Sequence, residues 1–240
     1  MAHSRNPSAA VRVTVGDCQR VQINWYAALA AEESGREWAD HGLHWIWRPT
    51  VNELVLMFPE NIRADALRRG IERGQLLGAK SIGAWLSAET DALHLAEAGF
   101  ERGWEPWWMT ASLDCLPDPP DDRVALDVDV PGYETTELLL ARTRPDCCWH
   151  ASARIDGRFA GTACSFLDRD LAGVFDMAVW PRYRRRGLGR ALLLSVCDAA
   201  RQAGATAAVL NATAEGILLY EQCGFRQIGA GVTWWLHLDR

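Results

Sequence analysis

An internal repeat constrains the fold of this chain more than any other feature of its sequence. Residues 204–215, "GATAAVLNATAE", match residues 78–89, "GAKSIGAWLSAE", at an offset of 126. Two pairs that follow in each copy also match, at offsets of 125 and 127: Gly224-Phe225 with Gly99-Phe100, and Trp234-Trp235 with Trp107-Trp108. Three matches in the same order predict two copies of one structural unit.

Hydrophobic periodicity gives each copy alternating strands and helices. In the second copy, "CWHASARI" and "FAGTACSFL" alternate as strands and flank Asp156-Gly157, a hairpin turn signal. The strand "AGVFDMAVW" follows, and then "RALLLSVCDAARQ", whose apolar residues recur at helical spacing before a stop at Gly204. The rest of this copy is predicted as strand, short helix and strand: "TAAVLNA", "EGILLYEQCG" and "GVTWWLHLD".

The first copy repeats the later part of this pattern. Its predicted elements, in order, are "NELVLMFP", "NIRADALRRGIERGQLLG", "KSIGAWL", "ETDALHLAEAG" and "WEPWWMTASL". The segment "DCLPDPPDDR" between the copies is rich in proline and aspartate and has no periodicity, which is typical of a linker. We therefore predict an α/β (α+β) protein with a first domain at 1–116, a linker at 117–123 and a second domain at 124–240.

Composition excludes several classes of protein. The chain is 49% hydrophobic, has no apolar run near 18 residues and starts without an apolar signal core, so we expect no membrane span and a cytoplasmic location. Its seven cysteines are odd in number and lack C-x-x-C spacing, which favours reduced thiols over disulfides or a zinc site. His41 and His44 have no third ligand at suitable spacing, so we predict no metal. The net charge of -6 argues against nucleic-acid binding.

One local stretch, "WPRYRRRGLGRA" at 180–191, is strongly basic although the chain as a whole is acidic. It lies between a predicted strand and a predicted helix, and the N–H groups at a helix N-terminus attract phosphate. Gly187 and Gly189 would let a diphosphate approach the backbone, and the arginines would add charge-assisted hydrogen bonds. A solvated helix start and a nucleic-acid patch are the alternatives. A dinucleotide fingerprint is excluded, because Leu192 stands where G-x-G-x-x-G has its third glycine.

These residues, taken with a second motif, resemble a known family. Arg184-x-x-Gly187-x-Gly189 follows a strand that ends Ala178-Val179-x-Pro181, and Leu219-Tyr220-x-x-x-Gly224-Phe225 comes later. Together they resemble the GNAT family of acyl-CoA-dependent N-acetyltransferases, over roughly residues 150 to 238. The resemblance implies two GNAT-fold domains, each a mixed, mainly antiparallel twisted sheet flanked by helices, and acetyl-CoA as the acyl donor.

The resemblance also implies a cofactor site. The backbone of Met177, Ala178 and Val179 would contact the acetyl and pantetheine parts of acetyl-CoA, with one N–H directed at the thioester carbonyl. Thr213 stands where many members carry an asparagine, and its hydroxyl can still donate one hydrogen bond. The pyrophosphate would be held by the arginine-glycine loop: Arg184, Arg185, Arg186, Gly187, Leu188, Gly189 and Arg190.

Acyl transfer to an amine needs a proton donor for the leaving thiolate, and a base unless the amine has a low pKa. Tyr220 stands where the family places the acid, and a phenol has a pKa close to that of a thiol. Asp176 is the first candidate for the base, and His150 and Glu137 are the others. Strand alternation puts Asp176 on the opposite face from Met177, so a structural role is the alternative for it.

The first copy is predicted to be degenerate. Only residues 60–63 separate its strand from its helix, without a G-x-G, and the counterpart of Tyr220 is His94 or Leu95. We expect this copy to build part of the acceptor site. Seven of the eight tryptophans in the first half predict core and interface packing, with an aromatic acceptor pocket as the alternative: Trp25, Trp38, Trp45, Trp47, Trp104, Trp107 and Trp108.

The predicted reaction is therefore acetyl transfer from acetyl-CoA to a primary amine of a small molecule. The alternatives are a protein that binds acyl-CoA without turnover and an acyltransferase that uses another acyl-CoA or a hydroxyl acceptor. We expect a monomer or a homodimer, with no nucleic-acid or membrane partner.

Overall fold

The strands of both halves belong to one sheet in the computed structural model of this chain, which describes residues 12–115 and 121–238. The first half begins with a helix that is followed by strands. Its elements are α1 (Val15–Glu32), β1 (Arg36–Asp40), β2 (Leu43–Arg48), β3 (Glu53–Met57), α2 (Ala64–Leu77), β4 (Ser81–Ser87), α3 (Leu93–Glu97), β5 (Glu101–Arg102) and β6 (Trp107–Ser112).

The second half begins with a short strand and a helix, and then follows the predicted order. Its elements are β7 (Val124–Leu126), α4 (Thr136–Thr143), β8 (Cys148–Ile155), β9 (Arg158–Asp168), β10 (Leu171–Val179), α5 (Leu188–Gln202), β11 (Ala207–Ala212), α6 (Ile217–Gln222) and β12 (Arg226–His237). Asp156 and Gly157 have positive φ angles of 50° and 73°, so they form the predicted tight turn between β8 and β9.

The halves exchange their last strands. The sheet order is β1-β2-β3-β4-β12-β6-β11-β10-β9-β8-β7, with β5 on β12. Residues 107–112 of β6 pair with β11 of the second half, and residues 231–237 of β12 pair with β4 of the first half. Because β6 and β12 also pair with each other, the sheet is continuous across the centre. The division expected near residues 117–123 therefore does not separate two sheets; residues 117–120 lie outside the described residues.

Each half contains a strand–helix–strand unit with two parallel strands, and the two units differ at one end. In the first half, β3 pairs with β4 over residues 53–57 and 81–85. In the second half, β10 pairs with β11 only over residues 171–173 and 207–209. The strands β10 and β11 then separate, although β10 continues to Val179 and β11 to Ala212. The second half therefore has an opening between parallel strands that the first half lacks.

Helix α1 lies over the junction of the halves and was not predicted. Its start has a sequence signal, because Thr14 and Asp17 form a reciprocal capping box. The helix buries Val21, Trp25 and Leu29. Val21 belongs to a cluster with residues of β2, β3 and β11, and Trp25 stacks on Phe175 of β10 at 4.5 Å between ring centroids. Helix α1 thereby joins the first half to the second on one face of the sheet.

The tryptophans of the first half pack as predicted where they are buried. Trp25, Trp45, Trp47 and Trp108 are between 1% and 6% exposed. Trp38, Trp104 and Trp107 are partly exposed, and Trp38 lies under the guanidinium of Arg73.

Other predictions from composition concern ligands and membranes. The histidines have carboxylate neighbours: His41 lies 3.5 Å from Asp40 and His44 3.4 Å from Glu37. In the described ranges, no three histidine, cysteine or acidic side chains are grouped as metal ligands. Among the same residues, no helix combines the length and apolar character needed to cross a membrane.

Candidate active site

The opening between β10 and β11 forms the centre of the candidate site. Beyond Gly173, the edge of β10 that faces β11 has no strand partner. On its other edge, β10 remains paired with β9, where Ala178 lies opposite Thr162 and Val179 opposite Gly161. The backbone of residues 174–179 therefore presents unpaired polar groups to the opening, and such groups normally find a partner. The residues predicted to contact a thioester, Met177, Ala178 and Val179, lie on this segment.

A β-bulge determines where the side chains of β10 point. The register of β10 against β9 shifts between Phe175 and Ala178, and Asp176 has a φ of 45°. Val174 and Met177 pack with the core under α5, whereas Phe175 packs with α1 and α4. Asp176 hydrogen bonds to Tyr133, which precedes α4. Asp176 and Met177 therefore lie on opposite faces as predicted, but regular alternation would have put Asp176 on the α5 face with Val174.

The environment of Asp176 favours its protonated form. Its side chain is accessible, yet enough protein surrounds the carboxylate that the charged form is poorly hydrated. This desolvation, together with the nearby charge of Glu137, raises the pKa of Asp176 to about 7, while the hydrogen bond from Tyr133 (3.3 Å) opposes the increase. A carboxyl group with a pKa near neutral pH can accept and release a proton under physiological conditions.

Structure distinguishes the other two candidates for the base. His150 is 1% exposed, and both ring nitrogens are engaged, Nδ1 with the Asp127 carbonyl at 2.8 Å and Nε2 with Thr162 Oγ1 at 2.6 Å. It therefore does not face an acceptor, and the hypothesis that it is the base is wrong. Glu137 is partly buried on α4, with its Oε1 3.8 Å from the guanidinium of Arg48.

The start of α5 has the features of an anion site. Gly187 occupies the N-cap position with a φ of 81° and offers no side-chain cap, and the first turn contains no acidic residue. Arg185 also has a positive φ, 62°. Unpaired N–H groups at a helix start carry a partial positive charge and bind phosphate groups. A Cβ at Gly189 would lie 3.0 Å from Leu219 Cδ2, so glycine also lets α5 approach α6.

The arginines of the loop have different surroundings. Arg184 donates from Nε to the Val179 carbonyl (3.0 Å) and from Nη1 to Glu215 (2.7 Å), so its guanidinium ties the end of β10 to the turn before α6. Arg185, Arg186 and Arg190 are exposed, and Leu188 is buried in the core. The guanidiniums of Arg185, Arg186 and Arg190 thus remain accessible to a phosphate, whereas Leu188 offers only its backbone.

Sequence reasoning did not find Arg123 as part of this loop. Arg123 donates from Nη1 to the carbonyl of Arg186 at 3.0 Å and is held by Asp121. Its Nη2 lies 3.8 Å from the point that a Cβ on Gly187 would occupy. The only signal was one arginine at the end of an acidic segment, which composition alone does not connect with the loop.

Tyr220 lies on the α5 side of the opening. Its hydroxyl is 3.7 Å from the sulfur of Met177, and the methyl group of Met177 lies 3.7 Å from a Cβ built on Gly189. The structure thus brings Tyr220, Met177 and the start of α5 together. Burial, with a smaller effect from Cys223, raises the pKa of Tyr220 to about 12. The phenol therefore keeps its proton at neutral pH.

Near the position predicted for a pantetheine contact, Asn211 has a partner from the other half. Thr213 is exposed in the turn before α6, and its carbonyl accepts from Gly216. Asn211, two residues earlier on β11, donates to the buried side chain of Gln22 on α1 at 2.8 Å. Sequence reasoning missed Gln22, because nothing in the sequence joins positions 189 residues apart.

In the first half, aromatic residues fill the corresponding region. Phe58, directly after β3, has a φ of 43° and donates its backbone N–H to Trp85 of β4, so it lies where Asp176 follows Phe175. The ring of Phe58 packs 6.4 Å from that of Trp85 and 5.9 Å from that of Trp108. At the second position of α2, where α5 has Gly189, stands Asp65, which pairs with Arg63 and Arg69. This carboxylate would repel a phosphate.

Comparison with known families identifies the chain. The model of the Acetyltransferase (GNAT) family matches residues 103–225, slightly more than half of the sequence. The chain belongs to the GNAT family of acetyltransferases. The match includes β6, which is part of the second-half sheet through its pairing with β11.

Two curated N-acetyltransferases are similar to part of the chain. Glucosamine 6-phosphate N-acetyltransferase of Trypanosoma brucei brucei is 31% identical over 77 residues, which are 29% of this chain and 52% of that protein. The ribosomal protein bS18-alanine N-acetyltransferase of Escherichia coli K12 is 37% identical over 75 residues, 30% of this chain and 51% of that protein. The chain therefore spans about half the length of the curated relatives it matches.

Solved GNAT structures match nearly the whole chain in fold. A GCN5-related N-acetyltransferase from Kribbella flavida has a TM-score of 0.65 at 17% identity and covers 93% of this chain and 96% of its own. A tandem GNAT protein from the clavulanic acid biosynthesis pathway has a TM-score of 0.55 at 13% identity, with 95% and 98% covered. The predicted fold class, mixed α/β with a mainly antiparallel sheet flanked by helices, is confirmed.

Proposed function

We propose that this chain transfers an acetyl group from acetyl-CoA to a primary amine of a small molecule, and that the second half carries the reaction. The observation that supports this best is the unpaired edge of β10 next to the uncapped start of α5. Strand β10 offers backbone hydrogen bonds for the acyl and pantetheine parts of an acyl-CoA, and the start of α5 offers a site for its phosphates.

The residues present fit acetyl-CoA. The backbone of Met177, Ala178 and Val179 would hold the acyl and pantetheine parts. The pyrophosphate would be held by backbone N–H groups at the start of α5 and by accessible arginine side chains. The backbone groups belong to Gly187, Leu188 and Gly189, and the arginines are Arg185, Arg186 and Arg190. Arg184 would shape the loop, since its guanidinium is bonded to Val179 and Glu215. Thr213 is retained as a weaker contact through its exposed hydroxyl. Bound acetyl-CoA supplies an activated acyl thioester.

The proton transfers are assigned to two side chains on opposite faces of β10. The Asp176 carboxylate accepts a proton from the acceptor ammonium, which frees the nitrogen lone pair for attack. The Tyr220 hydroxyl provides a proton for the thiolate that leaves. The pKa of about 7 suits Asp176 to its role, and the buried Tyr220 keeps its proton until it is needed.

The first half acts as a degenerate tandem copy in this proposal. Three observations support it: β3 is paired with β4 over its whole length, Phe58 and Trp85 fill the region of the opening, and Asp65 stands at the start of α2. The first half also contributes α1, which covers the face of β10 opposite α5. The acceptor would then lie in a cleft enclosed by α1 and α4, and enclosed clefts suit small ligands.

The acceptor is proposed to be a positively charged amine at neutral pH. Asp176 and Glu137 both lie on the acceptor side, and their field attracts an ammonium group. The named activities of the two curated relatives involve an amino sugar phosphate and a protein alanine, which are both amines. They differ too much in size and charge to indicate one acceptor for this chain.

Calorimetric titration with acetyl-CoA tests the proposal first. One site per chain is expected, because among the described residues only the second half combines the opening with a helix whose first turn has no acidic residue. A panel of small primary amines is then screened by release of free thiol. Two sites per chain would contradict the degenerate first half. If folded protein does not bind acetyl-CoA, the acetyltransferase proposal fails.

Replacement of Tyr220 separates an enzyme from a protein that only binds acyl-CoA. We expect Y220F to lower kcat by about 100-fold, since a positioned general acid contributes on this order, while the affinity for acetyl-CoA changes little. The control is Y183F, because Tyr183 is buried beneath the loop and contacts Arg182 and Arg186. An unchanged rate in Y220F would exclude the acid role. Comparison of acetyl-, propionyl- and succinyl-CoA tests the choice of donor.

A further inference from the structure

Arg123, which stands directly before β7, reaches the arginine-glycine loop from another part of the chain. Its carbonyl accepts from the N–H of Arg154 on β8 at 2.8 Å, and its own N–H donates to Asp121 Oδ1 at 3.0 Å. Its guanidinium is held by the same carboxylate, because Nε donates to Oδ1 at 2.7 Å and Nη2 donates to Oδ2. The backbone and the side chain of Arg123 are therefore both fixed.

The contact of Arg123 with the loop is a hydrogen bond to the peptide group that precedes α5. Arg123 Nη1 donates to the carbonyl oxygen of Arg186 at 3.0 Å. In a trans peptide the carbonyl and the following N–H point in opposite directions, so this bond also directs the Gly187 N–H away from Arg123. Glycine accepts φ angles of either sign and restricts this peptide little. The bond from Arg123 thus holds a peptide group that the loop by itself leaves free to turn.

The N–H groups that follow this peptide are available to a ligand. The first backbone hydrogen bond of α5 runs from the Ala191 N–H to the Gly187 carbonyl at 3.1 Å, and no side chain caps the helix. Within the described part of the chain, the N–H groups of residues 187–190 therefore have no protein acceptor. The orientation of the Arg186–Gly187 peptide decides whether the first of them points in the same direction as the others.

The charge of Arg123 offers a second way to favour phosphate, and Asp121 distinguishes the two. A guanidinium has five N–H groups, of which Asp121 and Arg186 use three. If charge alone mattered, the Asp121 carboxylate would oppose phosphate binding, because it offsets the guanidinium and repels the anion. If the position of Arg123 matters, Asp121 assists binding, because it holds the guanidinium against the loop.

We propose that Arg123 is a positioning residue for the diphosphate of acetyl-CoA: held by Asp121, it keeps the Arg186–Gly187 peptide turned so that the N–H groups of residues 187–190 face the phosphates. This inference rests on the proposed function, which supplies the ligand. It adds to the loop a residue from the segment that joins the two halves.

A neighbouring ion pair provides a matched control. Arg154 of β8 donates to Asp127 at 2.6 Å, and Asp127 Oδ1 accepts from the backbone N–H of Asp129 at 3.0 Å, as Asp121 Oδ1 does from Arg123. The side chains of Arg123 and Asp121 are 36% and 22% exposed, and those of Arg154 and Asp127 are 34% and 23% exposed. Among the described residues, the guanidinium of Arg154 donates to Asp127 and not to the loop.

Calorimetric titration with acetyl-CoA compares the wild type with R123Q and D121N. We expect R123Q to bind about tenfold more weakly, since it loses a charge-assisted hydrogen bond. D121N should bind about threefold more weakly, although it removes a negative charge near a phosphate site. The controls R154Q and D127N should change the affinity little. S-acetylpantetheine, which lacks the diphosphate, should bind equally to all five proteins.

The outcomes separate this inference from the proposed function. Wild-type affinity in R123Q, or tighter binding in D121N, would overturn the positioning role while acetyl-CoA binding by the wild type still supported the function. Thermal unfolding of each variant shows that it is folded. Inorganic pyrophosphate serves as a second probe: if the wild type binds it with the same differences among variants but does not bind acetyl-CoA, the proposed function fails and the role of Arg123 stands. If neither ligand binds, both proposals fail.

Discussion

Asp176 shows how one residue can link the proposed chemistry to stability. Its carboxyl group has a pKa of about 7 in the folded chain against 3.8 ordinarily, so the folded state holds a proton that the unfolded state releases. A raised pKa of an acid means that the folded state loses stability as pH rises from about 4 to about 7. Above pH 7 the whole cost is present.

The D176N variant should therefore gain stability relative to the wild type as pH rises. The amide cannot ionise, so the variant does not lose this part of its stability. Melting temperatures of both proteins at pH 5 and pH 8 measure the effect, and the variant's advantage should be greater at pH 8. The same difference at both pH values would show that the pKa of Asp176 is not raised in the fold.

Single residues also show the limits of sequence reasoning about this site. Tyr220, Gly187 and the segment 177–179 belong to motifs, and the structure brings Tyr220 and Met177 together. Tyr133 and Arg123 lie in segments without a pattern, and their roles depend on contacts made by the folded chain. The face of Asp176 depends on a bulge, and an alternating sequence does not reveal where one extra residue is inserted.

At the scale of elements, the loop before α5 is the part that a substitution can test most directly. Gly187 has a φ of 81°, and a Cβ there would have open space apart from Arg123. We expect G187A to cost about 1 kcal/mol in stability through the left-handed backbone. Its methyl group should also obstruct a phosphate, so that the affinity for acetyl-CoA falls by about tenfold.

Gly78 provides a matched control for this substitution. It also has a φ of 81°, follows α2 in the first half and has no atom within 4 Å of a built Cβ. G78A should lose a similar amount of stability without any effect on binding of acetyl-CoA. Calorimetry and thermal unfolding of both variants make the comparison. Equal losses of affinity would mean that the start of α5 is not the phosphate site.

Most individual elements followed from periodicity, because each is determined by its own residues. The hairpin at Asp156-Gly157, the stop of α5 near Gly204 and the strands before and after α2 and α5 were all predicted. Helix α1 was missed, although Thr14 and Asp17 mark its start. Its apolar residues pack on both halves, so its stability depends on contacts that a local pattern does not contain.

At the scale of the whole molecule, the exchange of β6 and β12 between the halves could not be predicted from the sequence. The two strands are equivalent in the repeat, and either could pair antiparallel beside β4 or β11. The backbone hydrogen bonds would be the same in both arrangements. Because the two strands are equivalent in the repeat, their side-chain patterns do not choose between the arrangements either. The repeat predicts two units, and it does not indicate that their strands join in one sheet.

The exchange predicts that the second half cannot fold by itself. A chain of residues 121–240 would lack β6, which lies between β11 and β12, and would leave the edges of both strands without a partner. We expect this fragment to aggregate or to show no cooperative unfolding, while the full chain unfolds in a single transition. Circular dichroism and size-exclusion chromatography would decide. A cooperative monomer would show that β6 is dispensable.

The central position of β12 also affects how the protein can form during translation. Strand β6 leaves the ribosome long before β12, because residues 113–225 must be made between them. Until then, β4 and β6 each have an edge that awaits the same strand. The nascent first half therefore remains incomplete while the second is synthesised, and a chaperone that shields exposed strand edges would act mainly during this interval.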